Sequence, residues 1–194
     1  DCTMTVGTSG SEDHETIQAA ADVVSPGDVV CISNGTYVEE VTISTSGTEQ
    51  DPIVFRAADG ARPIIDGENR IPGDWDWLLG IYGDHVVVSG LEIRNSASVC
   101  VGIAGSHSIA HDLEIHHCFY NGIDVAQDAD HAVVDGCRVW DCVLENEGGL
   151  ASSGWSVGIT AGRYPTNTVI RNNVVFNNWG EGVSSFESEA TIIE

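Results

Sequence analysis

One short phrase is written four times along this chain, and that repetition limits the fold more than any other feature. Ser89–Ser96 reads SGLEIRNS, and HDLEIHHC, DGCRVWDC and RNNVVFNN follow it. In each copy apolar residues alternate with polar ones, as Leu91 and Ile93 do with Glu92 and Arg94, which is the pattern of a short strand with one buried face. Aligned copies are separated by 22, 24 and 36 residues, the last step lengthened by the insert LENEGGLASSGW. A second apolar run with a Gly follows each copy: VGIA, NGID, VGIT and EGVS. A period near 22 is too short for a propeller blade and lacks the leucine-rich pattern. It fits one coil of a parallel β-solenoid, in which each inward side chain stacks on its equivalent one coil away. Leu91, Leu113 and Cys137 then stack inside, as do Ile93, Ile115, Val139 and Val175. Asn95, His117, Asp141 and Asn177 line one turn.

Ahead of the repeats, Ile17, Ala20, Ala21 and Val24 recur at helical spacing, Ser9 and Glu12 resemble a capping box, and Pro26-Gly27 ends the run. The expected organisation is a single domain over residues 1–194, with an N-terminal capping α-helix within about 1–27 and coils over about 28–194. The last coil stops in mid-repeat at EATIIE. An amphipathic helix plugs one end in this reading. The other end either continues into more coils or is covered by a second molecule, giving self-association through the open C-terminal end.

Thirty acidic residues against seven basic ones, all arginine, give a formal net charge of −23. Such a surface counts against nucleic acid and anionic membrane partners, and no apolar run reaches membrane-spanning length. Six cysteines without a CxxC pair argue against a zinc or thioredoxin-type site and for a secreted or cell-surface location. Cys2 and Cys31 are the expected bridge, because Val30 and Ile32 point inward and leave Cys31 within reach of the N-terminal arm. Cys118 and Cys142 occupy equivalent repeat positions and stack or bond.

The stretch TIQAAADVVSPGDVVCISNGTYVEEVTI, followed by GTEQDPIVFRAADGARPIIDG, resembles the N-terminal region of right-handed parallel β-helix proteins of the pectate-lyase superfamily. The likeness extends over nearly the whole chain and is nearest to enzymes of the chondroitinase B, alginate lyase and family 9 pectate lyase kind. It implies an all-β, right-handed parallel β-helix. It also implies β-elimination from uronic-acid polymers, with a basic side chain removing a proton and Ca²⁺ or arginine neutralising the carboxylate. The chain departs from that pattern. It has no lysine, SSGWSVGIT stands where acid-and-lysine signatures fall, and WGEGV replaces a double-aspartate pattern. A lysine base is excluded for this stretch.

The remaining candidates lie between the inward positions. Arg94, His116, Trp140 and Phe176 form one outward ladder; Glu92, Glu114, Arg138 and Val174 form the next. Trp140 and Phe176 offer an aromatic platform for a sugar of a polysaccharide and Arg94 and Arg138 a grip on carboxylates, or all four are ordinary sheet-face stacks. His116 is a candidate base; Arg138 and Arg163 are the other basic groups considered for catalysis. Trp155 and Arg163 belong to the inserted loop and its margin, and Asp74-Trp75-Asp76-Trp77 forms either a lip or a lid. Asp124, Asp128 and Asp130 are spaced as oxygen ligands for Ca²⁺, or as a solvated turn.

Overall fold

A computed structural model describes residues 1–126, 129–150 and 156–194. The strands fall into three sheets that the chain visits in rotation. One has eight strands, from Met4–Val6 through Val86–Ser89 and Val133–Asp135 to Ile192–Ile193. The second, here the Arg94 sheet, has six, including Ile64–Asp66, Glu92–Ser96, Glu114–Cys118, Arg138–Trp140 and Val174–Phe176. The third, here the Asp124 sheet, also has six, including Trp77–Ile81, Val99–Ile103, Ile123–Val125, Val157–Gly162 and Glu181–Phe186. Strands pair in parallel with their equivalents in the neighbouring coils, so the molecule is a parallel β-solenoid of about seven turns.

The register of the core is the one the repeats predict. Ile93 pairs with Ile115, Ile115 with Val139, and Val139 with Val175. Ile93, Ile115 and Val139 are fully buried, as are Leu113 and Cys137. Burial of each such side chain contributes on the order of 1.5–3 kcal/mol, and only stacking supplies the apolar surface that removes it from water. Asn95, His117, Asp141 and Asn177 all adopt positive φ, between 50° and 56°. Asn, Asp and His tolerate this left-handed backbone better than other non-glycine residues, which explains the polar turn ladder. A second ladder of the same kind holds His85, His107, His131 and Asn167.

Two expectations need correction. The capping helix is a single turn, Ile17–Ala21, and the N-terminal region also contributes the strand Met4–Val6, which pairs with Val29–Ile32. Thr16, not Ser9, is the N-cap, accepting from the Ala19 N–H, while the Ser9 hydroxyl donates to Glu12 in an exposed turn. The two N–H groups that follow Thr16 donate to the Glu39 carboxylate, each at 2.9 Å. That satisfies helix donors which a five-residue segment has no internal carbonyls to accept. Ile17, Ala20, Ala21 and Val24 are buried against the first coils, as their helical spacing predicts. The other correction concerns the Gly-Ile runs. Ile123, Ile159 and Val183 are in register, but Ile123 pairs with Val101 and not Ile103, so VGIA is offset by two residues.

Cys2 and Cys31 are bonded, with Val30 and Ile32 buried on either side. A second bridge joins Cys100 to Cys118, and Cys137 and Cys142 are buried thiols. Cys142 does stack on Cys118, its Sγ 2.9 Å away, but Cys118 is already committed to Cys100.

Candidate functional site

The sequence-predicted residues separate into three places. Arg94, His116, Arg138, Trp140 and Phe176 sit on the outer face of the Arg94 sheet, in the register expected of them. Asp124 and Arg163 meet in a groove on the Asp124 sheet. Asp130 lies on the turn of the His ladder. Asp128 and Trp155 fall outside the described residues.

The Arg94 face is internally satisfied. Arg94 donates to Asp66 at 2.8 Å and to Glu92 at 2.9 Å. Burial works against ionisation of Asp66, yet Arg94, the Glu68 N–H and Asn95 together hold its carboxyl below the ordinary range. The His116 Nε2 lies 3.3 Å from Glu92 and its Nδ1 2.7 Å from the His117 Nδ1, so both ring nitrogens are engaged. Burial pushes its pKa down, keeping the imidazole neutral near pH 7. The rings of His116, Trp140 and Phe176 lie face to face, with centroids 4.4 and 5.8 Å apart. A sugar platform needs an open ring face, and both faces of Trp140 are covered by its neighbours in the ladder. What this sheet offers a ligand is ring edges, the outer face of Phe176 on the edge strand and the Arg138 guanidinium, itself 5.9 Å from the Trp140 ring centre.

The groove on the Asp124 sheet differs in each respect. It encloses about 690 Å³ and is lined by Trp75, Asn121, Asp124, Thr160, Arg163 and Phe186, among others. Alternation along Ile123–Val125 sends Ile123 and Val125 into the core and Asp124 outward. One strand away, Asp124 pairs with Gly102, and the Trp77 ring lies where a Gly102 side chain would be. Only glycine there admits the indole. Asp124 is thus walled in and only 4% exposed. This burial raises its carboxyl pKa to about 6, against the opposing pull of Arg163. No hydrogen bond holds Asp124 among the described residues, and it is not in direct ion-pair contact with Arg163.

Arg163 follows the strand Val157–Gly162 with φ 63°. It is exposed, and no protein carboxylate pairs with it among the described residues. Its guanidinium carbon lies 5.9 Å from the Trp75 ring centre. Trp75 in turn stacks on Tyr120 with centroids 4.1 Å apart and planes 7° apart. The Tyr120 hydroxyl donates to Asp74 at 2.7 Å, which pushes its pKa up to about 12 and fixes the lip. The Asp74–Trp77 loop therefore divides its labour: Trp75 borders the groove, while Trp77, 5% exposed, packs on the solenoid. Glu181, Ser184 and Phe186 complete the wall and were not among the sequence candidates.

The calcium reading can be tested against the donors present. Calcium takes six to eight oxygens and favours carboxylates already held ionised. In the groove only Asp124 and Glu181 supply carboxylates among the described residues, beside a guanidinium and with Asp124 shifted toward its neutral form. The Asp130 carboxylate is directed elsewhere, accepting from Thr166 at 2.6 Å and Asn167 at 2.8 Å. Asp124 lines the groove and Asp130 the His ladder, and among the described residues these donors do not fit a calcium ion; Asp128, the third expected ligand, lies outside them.

Comparison with known proteins places the fold. Residues 3–194 match the family described as Pel9A-like, right handed beta helix region. The chain belongs to this family. A Bacillus subtilis (strain 168) protein named uncharacterized protein YwoF is 28% identical over 142 residues, covering 66% of this chain and 30% of that protein. Pectate lyase L of Dickeya dadantii (strain 3937) is 26% identical over 120 residues, covering 55% and 28%. Among solved structures, an alginate lyase from Paenibacillus sp. str. FPU-7 superposes with a TM-score of 0.72 at 17% identity, covering 91% of this chain and 61% of the enzyme. The pectate lyase Pel9A superposes with 0.68 at 18%, covering 84% and 49%. The chain spans about 30% of the length of these curated relatives. The right-handed β-helix and its kinship with pectate lyase-like proteins, implied by the opening motif, are both shown.

Proposed function

We propose that this Pel9A-like chain binds a uronate-containing polysaccharide in the groove of the Asp124 sheet and cleaves it by β-elimination. Relatives named pectate lyase, alginate lyase and rhamnogalacturonan lyase supply the substrate class. The observation that carries the reading is a buried carboxyl with pKa about 6 facing an arginine that no carboxylate among the described residues pairs with. Arg163 takes the uronate carboxylate, and Trp75 packs against a sugar face beside it. Ionised Asp124 removes the proton from the carbon next to that carboxylate, and Arg163 stabilises the charge that develops on it. The electron pair forms the new C=C bond as the bond from the β-carbon to the glycosidic oxygen breaks. The leaving oxygen takes a proton from water, and Asp124 returns its own to solvent. A base with pKa near 6 is largely ionised at neutral pH yet remains basic enough to act. The two disulfides support an oxidising, extracellular setting for this work.

The test is a panel of uronate polymers incubated with purified protein, scored by ultraviolet absorbance of unsaturated products. Product that vanishes in Asp124→Asn and Arg163→Ala supports the mechanism. Binding without product from any polymer would leave a carbohydrate-binding solenoid and remove the lyase assignment.

A further inference from the structure

A second constellation lies on the His ladder, where nothing in the proposed reaction uses it. His85, His107 and His131 occupy equivalent positions of successive coils, each at positive φ. Their rings stack in parallel, His85 on His107 at 4.8 Å and His107 on His131 at 5.0 Å. The backbone beneath them is fixed by ladder hydrogen bonds, from the His107 N–H to Asp130 at 2.7 Å and from the His131 N–H to Thr166 at 3.0 Å. The ligating atoms of His107, Asp130 and His131 all lie within 4.8 Å of one another.

We propose that His107, Asp130 and His131 form a binding site for a divalent transition-metal ion, tying two successive coils together. Two imidazoles and one carboxylate suit borderline ions such as Zn²⁺, Cu²⁺ or Ni²⁺ and disfavour Ca²⁺, which takes oxygen donors. The carboxylate is prepared for the role. Its Oδ1 accepts from Thr166 and Asn167, which anchors the group and leaves Oδ2 directed at the His131 Nδ1, 2.9 Å away. Such outer hydrogen bonds orient a metal-binding carboxylate and sustain its basicity. Ligand atoms each about 2.1 Å from zinc sit roughly 3.4 Å apart in a tetrahedron, so the set, whose atoms lie within 4.8 Å of one another, has to contract by at most about 1.4 Å. Both rings are exposed, which leaves side-chain rotation open to them. The open coordination positions face solvent beside a groove of about 490 Å³ that His85 and His107 border. A surface of net charge −23 raises the local concentration of any cation.

The experiment is calorimetric titration of the whole chain with Zn²⁺ alone, after chelator treatment. It is repeated on His107→Asn and His131→Asn, because asparagine keeps the left-handed backbone and removes the imidazole. The expected result is saturable uptake of one ion per chain, weakened by about tenfold or more in each variant. His111→Asn, at a half-buried histidine ending the strand Ile109–His111, should leave uptake unchanged. The Cu²⁺-loaded protein should show hyperfine coupling to two imidazole nitrogens in its electron paramagnetic resonance spectrum. Circular dichroism verifies that each variant keeps its fold. Three results would each overturn the proposal: no uptake, uptake undiminished in both variants, or displacement of Zn²⁺ by equimolar Ca²⁺.

Discussion

Replacing Asp124 with asparagine should make the protein more stable at pH 8 and leave it unchanged at pH 4. The folded carboxyl has its pKa raised from 3.8 to about 6 by burial. Between those values the folded state binds a proton that the unfolded chain has released. Stability therefore falls as pH rises from about 4 to about 6, and the full cost persists above that. At 1.36 kcal/mol per pKa unit the cost is roughly 3 kcal/mol, and the residue is buried deeply enough for solvent screening to remove little of it. Asparagine keeps the shape and cannot ionise, so the cost disappears. For a chain of this size, 1 kcal/mol moves the melting temperature by about 2–4 °C, so the variant should melt about 6–12 °C higher at pH 8. Differential scanning calorimetry of both proteins at the two pH values measures this directly, because every other titration is common to them and cancels. Activity should move the opposite way, with product formation lost. A lower melting temperature for the variant at pH 8 would refute the reasoning. It would mean that attraction to Arg163 outweighs desolvation, that the carboxyl pKa is depressed, and that Asp124 is no poised base.

Arg163→Lys keeps the charge but loses the planar fork, and should weaken uronate oligosaccharide binding by about tenfold without affecting neutral oligosaccharides; equal loss for both, by isothermal titration, would count against a carboxylate contact. Peptide mapping without reduction should find Cys2 joined to Cys31 and Cys100 to Cys118, with Cys137 and Cys142 as thiols. A peptide linking Cys118 to Cys142 would contradict the pairing. Gly105→Ala should destabilise by about 1–3 kcal/mol, because its Cβ would fall on the Gly83 carbonyl of the preceding coil; an unchanged urea midpoint would show that the coils can separate there at little cost. Asp141→Val forces a β-branched residue to φ 50° and should cost roughly 1–2 kcal/mol, whereas Asp141→Gly should cost less; equal effects would show that backbone strain is not what the turn ladder manages.

The core was legible because its signal is one-dimensional. A spacing of 22 or 24 residues between like phrases places Ile93 on Ile115 and Ile115 on Val139, with nothing else needed. The same logic failed for the Gly-Ile runs, where glycine carries no facing information. Gly102 makes room for Trp77, while Gly122 is packed against Val139 and the Gly158 carbonyl, so two unrelated steric demands look alike in sequence. The Cys100 pairing is hidden in the sequence for a similar reason. Its partner Cys118 lies 18 residues on, off the repeat period that had made Cys118 and Cys142 look related. The groove was illegible as a whole because Trp75 reaches it from a loop far earlier in the chain than Arg163. Asp124 and Arg163 could be named individually but not joined.

What distinguishes scaffold from site in this molecule is whether charge is answered within the fold. On the Arg94 sheet, Asp66, Arg94, Glu92 and His116 form a connected set, and the aromatic rings cover one another. The members of that set have the partners that their burial demands, while the exposed Arg138 has, like Arg163, an aromatic neighbour at 5.9 Å. Among the described residues, an almost buried carboxyl on the Asp124 sheet lacks a hydrogen bond and the arginine facing it lacks a carboxylate partner. A fold that satisfies polar groups along one sheet has the means to do so on the next, since equivalent positions recur every coil. Leaving Asp124 unanswered costs roughly 3 kcal/mol above pH 6. A uronate carboxylate would engage Arg163, and the substrate proton would answer Asp124, so a ligand supplies from outside what the solenoid supplies itself one sheet away.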